Sequence, residues 1–421
     1  MLHDTRMKSL PVTKKEIFGW CCFDFANSSF TTIVITAVFP LYFVQTVFAS
    51  NAAARALSLW AWTLALSQII VLLISPIVGA FADRHACKKK LLFVTTWICS
   101  LATAALALPA SGYSLLALVM AANIAFSLGE NLCASFLPEI STPETAGRIS
   151  GYGWSFGYIG GLVSLGIVGL VSRSAYLPFW IAFPLTGLFF LIASAPTFLL
   201  LRERAIPHEK RNEPSALDRL QQTLSHLKTH RTLALFFIAF MLLMAGLSVV
   251  FAFASIYATQ EFHFSMSETI LLFASLQISS ALGAFIFGFV QDKVGSKKMM
   301  LLSLVLWVGV SVLAWSCVTK TAFFCISNLA GLCVGSTQSG SRAVVSLLAP
   351  SDRPGEFFGY WGFFGKLGAV LGPFAMGAAL AFRLSLRTGM LLNGLFFLAA
   401  LSIISFLKLV PPPAKARLIH S

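Results

Sequence analysis

The chain has 421 residues, 57% of them hydrophobic and 11% charged, far below the roughly 25% charged residues of soluble globular domains. That composition excludes an ordinary soluble enzyme or binding module. The formal charge of +14 raises nucleic acid as a partner, but the basic residues gather in short segments between apolar runs, which removes it.

Twelve apolar stretches are long enough to cross a hydrocarbon core of ~30 Å, which takes about 20 helical residues. They lie near 17–48, 56–82, 90–109, 113–138, 147–172, 176–201, 232–260, 267–291, 298–319, 321–349, 356–382 and 388–409. Barrel strands would alternate over about ten residues, and these runs do not. The expected fold is an all-α membrane protein of twelve transmembrane helices in two pseudo-symmetric six-helix bundles. Residues 1–201 would form the first bundle, 202–231 a cytoplasmic linker, 232–410 the second bundle and 411–421 a cytoplasmic tail.

The first run starts after about sixteen polar and basic residues and exceeds a signal-peptide core, so it is expected to remain as a helix. It carries Asp24, Asn27, Ser28 and Thr31 along one helical stripe. After the second run comes Gly79-Ala-Phe-Ala-Asp83-Arg84, then Lys88-Lys89-Lys90. The fourth run places Asn123, Ser127 and Glu130 on one face, and the fifth is dense in glycine. The polar segment from Arg202 to Arg231 contains Pro207, Pro214 and an amphipathic piece, Asp218–Lys228. After the eighth run the charged turn recurs as Gly288-Phe-Val-Gln-Asp292-Lys293, then Lys297-Lys298, 209 residues beyond its first copy. The tenth run bears Gln338, Ser339, Arg342 and Ser346, and the eleventh Lys366.

With both termini cytoplasmic, 23 of the 30 Lys and Arg residues fall in inner segments and 5 in outer loops. That is the positive-inside asymmetry, and it predicts the orientation. The repeat reaches further: residues 147–160 aligned with 355–368 share six identities, among them Gly147/Gly355, Gly151/Gly359 and Tyr152/Tyr360. Each half holds an even number of helices, so the halves are parallel repeats about an axis along the membrane normal. Gly153, Gly157, Gly161, Gly331, Gly335, Gly355, Gly359, Gly368 and Gly372 fall at small-xxx-small spacings that let helix backbones approach closely.

Asp24, Glu130, Arg342 and Lys366 lie inside these runs, where a charge costs about 2.5–3.5 kcal/mol on insertion scales unless it meets a cavity or a partner. Two arrangements fit. Arg342 and Lys366 take an anionic group of a solute while Asp24 or Glu130 takes an ammonium or a coupling proton, with Asn27 and Gln338 beside them. Alternatively, the four form salt bridges between the halves. The histidines fall in loops, termini or helix ends, so proton coupling would use the acids. Gly153-Trp154-Ser155-Phe156-Gly157 matches a nucleophile elbow but lacks the strand–turn–helix context that motif needs. No Walker loop, HExxH, CxxC or Cys/His ligand spacing occurs, so no enzyme activity, cofactor or metal is expected. The eight cysteines read as small buried hydrophobes.

The two charged turns resemble the loop 2–3 signature of the major facilitator superfamily and a second copy in loop 8–9. The first copy carries Ala86 and Cys87 where a glycine and a basic residue are usual, and the second keeps Gly295, so the first turn is expected to be less tight. Within the superfamily the chain is similar to the autophagy-linked yeast vacuolar amino-acid effluxers and their bacterial relatives. The likeness lies in Trp20-Cys-Cys-Phe-Asp24-Phe-Ala-Asn27-Ser28, Leu137-Pro138-Glu139, Gly157-Tyr158-x-Gly160-Gly161, Gln338-x-x-Ser341-Arg342 and Gly365-Lys366. The resemblance implies a secondary transporter with alternating access and a small polar organic solute such as an amino acid. It also implies that Asp83 and Asp292 work as a conformational gate, each facing the helix start of the opposite half, with Arg84, Lys293 and Arg148 beside them. A monomer in a bacterial inner membrane is expected, with solute, lipid and a coupling proton as partners. The rival is a transporter-like receptor or scaffold that binds without translocation.

Overall fold

The computed structural model describes residues 11–43, 53–108, 111–172, 179–205 and 231–409. The expected amphipathic piece Asp218–Lys228, most of the linker and the tail lie outside them. Twelve long helices run through the described residues: α1 Lys14–Phe30, α2 Ala53–His85, α3 Lys88–Ala105, α4 Gly112–Ala134, α5 Ala146–Ser172 and α6 Ala182–Leu200, then α7 Arg231–Phe262, α8 Met266–Val294, α9 Ser296–Ser316, α10 Lys320–Leu348, α11 Pro354–Ala381 and α12 Leu386–Phe406. Local chemistry sets their starts. Thr13 with Glu16 and Ser265 with Glu268 close capping boxes on α1 and α8, satisfying N–H groups that a helix end leaves without partners. Pro354 opens α11, where its missing N–H costs nothing.

Nine of the twelve are apolar and long enough to span a membrane. The exceptions, α1, α3 and α10, carry buried polar residues of their own: Asp24 and Asn27 on α1, Lys88 on α3, and Ser336, Thr337, Ser339 and Arg342 on α10. Outward faces present Trp62, Leu199, Phe374 and Phe406, which belong against lipid. One aromatic-rich core draws on α1–α6, and two further clusters draw on α7–α12. The chain is thus an integral membrane protein of two six-helix halves.

The first apolar run is not one α-helix as expected. After Phe30 the backbone widens into π-helical Thr31–Ala37, then breaks and resumes for one turn at Phe39–Tyr42. Val38 N–H donates to the Ile33 carbonyl at 2.9 Å, five residues back. The β-branched run Thr31-Thr32-Ile33-Val34-Ile35-Thr36 crowds a regular helix, and Pro40 cannot donate to the preceding turn.

The duplicated turns differ by one residue. Two residues, Ala86 and Cys87, separate α2 from α3, whereas Gly295 alone separates α8 from α9. Ala86 and Gly295 are equivalent under the repeat and both adopt positive φ, 48° and 88°. Only glycine does this without steric strain, so the first copy holds an alanine in left-handed backbone. Both turns lie at one end of the molecule, here the basic end.

Candidate functional site

At the basic end the halves meet through their acids. The Asp292 carboxylate accepts the Gly147 N–H at 2.8 Å and the Arg148 N–H at 3.1 Å. Asp83 accepts the Glu356 N–H at 2.9 Å. Each acid therefore sits on the start of a helix in the other half, where the exposed N–H groups and the helix dipole favour negative charge. Close approach makes this possible: a Cβ on Gly79 would run into the Gly355 carbonyl, and one on Gly288 would meet the Gly147 carbonyl at 2.8 Å. Arg148 adds a longer ionic contact to Asp292, 3.7 Å, while Arg84 is half-buried and Lys293 exposed.

Lys88 departs from its reading as a topogenic charge. It is fully buried, bonded to Glu139 and 3.9 Å from Asp83. Glu139 also accepts the Arg204 N–H at 2.7 Å, and Arg204 reaches Glu16 at 2.9 Å. Glu203 accepts the Lys88 N–H at 2.7 Å and the Lys89 N–H at 3.1 Å, capping α3. Burial lifts the Glu203 carboxyl above the usual carboxylate range, against the pull of those N–H groups. These charges tie the chain leaving α6 to α1, α2, α3 and the segment after α4. Nothing in the spacing of these residues announced it.

Deeper in, Arg342 of α10 occupies a socket built wholly from α1 and α5. Its Nη1 donates to Asp24 Oδ2 at 2.7 Å, Nε to Ser150 Oγ at 3.1 Å and Nη2 to the Ser150 carbonyl at 2.8 Å. Its guanidinium lies 4.6 Å from the Trp20 ring centroid and 5.3 Å from that of Trp154. The side chain is 2% exposed. Gly153 clears the space, since a Cβ there would meet Arg342 Nη2 at 2.5 Å as well as Asp24 and Trp20. The elbow-like motif is therefore part of a helix–helix seam, with Ser155 Oγ donating to the Ala281 carbonyl at 2.8 Å.

About one helical turn further from the basic end is a cavity of about 110 Å³. Glu130, Gln338 and Lys366 line it together with Trp154, Phe240 and Trp361. Neither the Glu130 carboxylate nor the Lys366 ammonium makes a hydrogen bond or a sub-4 Å ion pair with a described residue, although α4 and α11 bring them into one space. Gln338 is held by Tyr158, whose hydroxyl donates to the Gln338 side-chain oxygen. Asn123 and Asn131 of α4 donate to Ser67 at 2.7 Å and Ser75 at 3.1 Å on α2, and Asn131 also borders the cavity. These two bonds tie α4 to α2 on either side of Glu130.

The six residues considered together from sequence thus fall in two places. Glu130, Gln338 and Lys366 face the cavity, whereas Asp24 and Arg342 pair beneath it and Asn27 is buried on α1. The alignment that equates Glu130 with Gln338 also equates Tyr158 with Lys366. The Glu130–Lys366 juxtaposition is consequently the pseudo-symmetric twin of the Tyr158–Gln338 bond.

Comparison with known proteins places the chain. The family model described as "Vacuole effluxer Atg22 like" matches residues 46–411. An uncharacterized MFS-type transporter of Bacillus subtilis (strain 168), YxiO, is 28% identical over 379 residues, 86% of this chain and 87% of that protein. Among solved structures, the human organic anion transporter MFSD10 (TETRAN) aligns with a TM-score of 0.70 at 16% identity, covering 93% of this chain and 98% of its own. A bacterial homologue of the iron transporter ferroportin, in an outward-facing state, aligns at 0.72 and 15% identity, covering 94% and 99%.

Proposed function

The chain belongs to the Atg22-like vacuole effluxer family within the major facilitator superfamily of transporters, and from that premise we propose that it is a secondary active transporter of a small zwitterionic solute of the α-amino-acid type. The carrying observation is the cavity itself. One half supplies Glu130 and the other Lys366, both turned into the same space without a bonded partner among the described residues. Charges left so in a bilayer interior are costly. A solute ammonium at Glu130 and a carboxylate at Lys366 would satisfy both and draw the halves together. The fold neighbours are named for an organic anion and for iron, so fold alone selects no solute and the cavity's own charges must.

Alternating access follows from the same geometry. The inter-half hydrogen bonds cluster between the cavity and the basic end. Taking that end as cytoplasmic, on the charge asymmetry, this conformation is shut toward the cytoplasm of a bacterial cell. Asp83, Asp292 and the Arg342 socket act as the gate, and residues 202–231 as the cytoplasmic linker. Glu130 is the acid placed to exchange an ammonium for a coupling proton.

Counterflow of radiolabelled amino acids in proteoliposomes tests the reading. Wild-type protein should exchange at least one of the twenty common L-α-amino acids, and Glu130→Gln or Lys366→Gln should abolish exchange. Collapse of the pH gradient should stop uphill uptake but leave counterflow. Binding without counterflow would instead identify a receptor, and unimpaired exchange in both variants would remove these residues from the site.

A further inference from the structure

The symmetry of the cavity is incomplete in an informative way. Glu130 and Lys366 on one side, Gln338 and Tyr158 on the other, are equivalent positions in the repeat. The charged pair remains apart, whereas the neutral pair is joined. Tyr158 is half-buried against the Trp154 ring, 5.9 Å between centroids, and its hydroxyl donates to the Gln338 oxygen. Holding the amide oxygen at Tyr158 fixes which way the amide lies and so turns its N–H groups to the other side. Gln338 lines the cavity, and no described residue accepts from its nitrogen. The indole N–H groups of Trp154 and Trp361, in the same wall, also lack an acceptor among described residues.

We propose that Tyr158 is a positioning residue that fixes Gln338 as a second donor, alongside Lys366, to the carboxylate of the solute. This rests on the zwitterion reading above and adds the specificity that reading lacks. Without Tyr158 the amide is free to turn, and its oxygen would repel a carboxylate. With Tyr158 the wall presents Gln338 of α10 and Lys366 of α11 as donors from one half, and the Glu130 carboxylate from the other. A carboxylate then accepts from both Lys366 and Gln338, whereas a carboxamide loses the ionic contact and turns its NH2 toward donors. Because Tyr158 belongs to α5 and Gln338 to α10, the subsite is assembled only while those helices are apposed. A solute should therefore bind more tightly in the conformation closed at the basic end than in its opposite, which is how a ligand biases a two-state equilibrium.

The test uses purified full-length protein in nanodiscs. The twenty common L-α-amino acids are titrated first, then the tightest binder against its own carboxamide, in wild type, Tyr158→Phe, Gln338→Ala and the double variant. Wild type should prefer the carboxylate form, and Tyr158→Phe should weaken its binding about tenfold, as expected on losing a hydrogen bond to a charged group. Carboxamide affinity should stay within about twofold, and the double variant should bind like Gln338→Ala alone, since the two act as a unit. Equal losses for carboxylate and carboxamide, full retention of the preference in Tyr158→Phe, or additive effects would each overturn the assignment. Absence of any amino-acid binding to wild type would overturn the zwitterion reading and this inference with it. Binding that persists in Lys366→Gln but loses its preference in Tyr158→Phe would fault the Lys366 role alone and support Tyr158.

Discussion

Asp24→Asn is the perturbation that separates gate from solute site. Asp24 and Arg342 meet at 2.7 Å in a buried socket, outside the cavity lining. The substitution removes the charge but keeps the shape, and leaves the two hydrogen bonds from Arg342 to Ser150 intact. Removing one partner of a buried pair costs about 3–5 kcal/mol when the other charge stays trapped. Here the halves can part and admit water to Arg342, so the smaller figure for a hydrogen bond to a charged group applies, about 1.5–3 kcal/mol. The closed basic end should lose roughly tenfold to a hundredfold in relative population.

Spin labels at Lys90→Cys and Lys298→Cys, both exposed and on opposite halves, would report it by double electron–electron resonance after the eight native cysteines are replaced. Asp24→Asn should add a longer-distance population that wild type lacks. Glu130→Gln and Lys366→Gln should leave the solute-free distances unchanged while abolishing binding. If Asp24→Asn abolishes binding and leaves the distances as they were, the pair belongs to the solute site and the gate assignment is wrong.

Gly153→Ala should reproduce the Asp24→Asn distance change, because its Cβ would crowd Arg342 Nη2 at 2.5 Å and displace the latch from α5. Asp83→Asn and Asp292→Asn should each open the basic end more weakly, by about 0.3–2 kcal/mol, and the double variant should roughly sum them in the same resonance assay. Lys88→Met should lower thermal stability in detergent, by up to about 3–5 kcal/mol, since it leaves the largely covered Glu139 without its cation; adding Glu139→Gln should recover much of the loss. Ala86→Gly should raise the melting temperature, because relief of left-handed strain at φ 48°, about 1 kcal/mol, exceeds the entropic cost of glycine.

Spans, repeat and helix contacts were legible because their signals are local. Hydropathy over about 20 residues marks a helix, and Gly79, Gly147, Gly288 and Gly355 mark close backbone approach wherever the partner lies. The pairing of charges was not legible. Asp24 and Arg342 are 318 residues apart, and whether Arg342 meets Asp24 or Glu130 depends on helix rotation and on which way the halves have rocked. Lys88 looked like its neighbours Lys89 and Lys90, yet the short turn carries it inward to Glu139 while Lys90 stays in water. The break after Phe30 was written in six consecutive residues dominated by β-branching and in Pro40, but a sliding hydropathy window averages over both.

The two halves repeat about an axis along the membrane normal, so Asp83 and Asp292 lie at the same end and their caps stabilise the same conformation. The Arg342 socket adds a third contact to that state, and Tyr158–Gln338 a fourth. Nothing in this set favours the opposite conformation. A transporter that rests so one-sidedly needs a ligand whose own contacts tip the balance, and only differential affinity between the two states can do so. In the site proposed above, Glu130 and Lys366 would supply it. A zwitterion between them replaces a direct inter-half attraction with a bridged one, and its release leaves two charges that must separate or be neutralised. On the proposed function, protonation of Glu130 would remove one of the two. On this reasoning a Glu130→Gln, Lys366→Met variant, neutral on both sides, should remain folded and still sample both conformations in the resonance assay, yet show no solute-dependent shift between them. A persistent shift with an amino acid would mean that the bias enters elsewhere in the molecule.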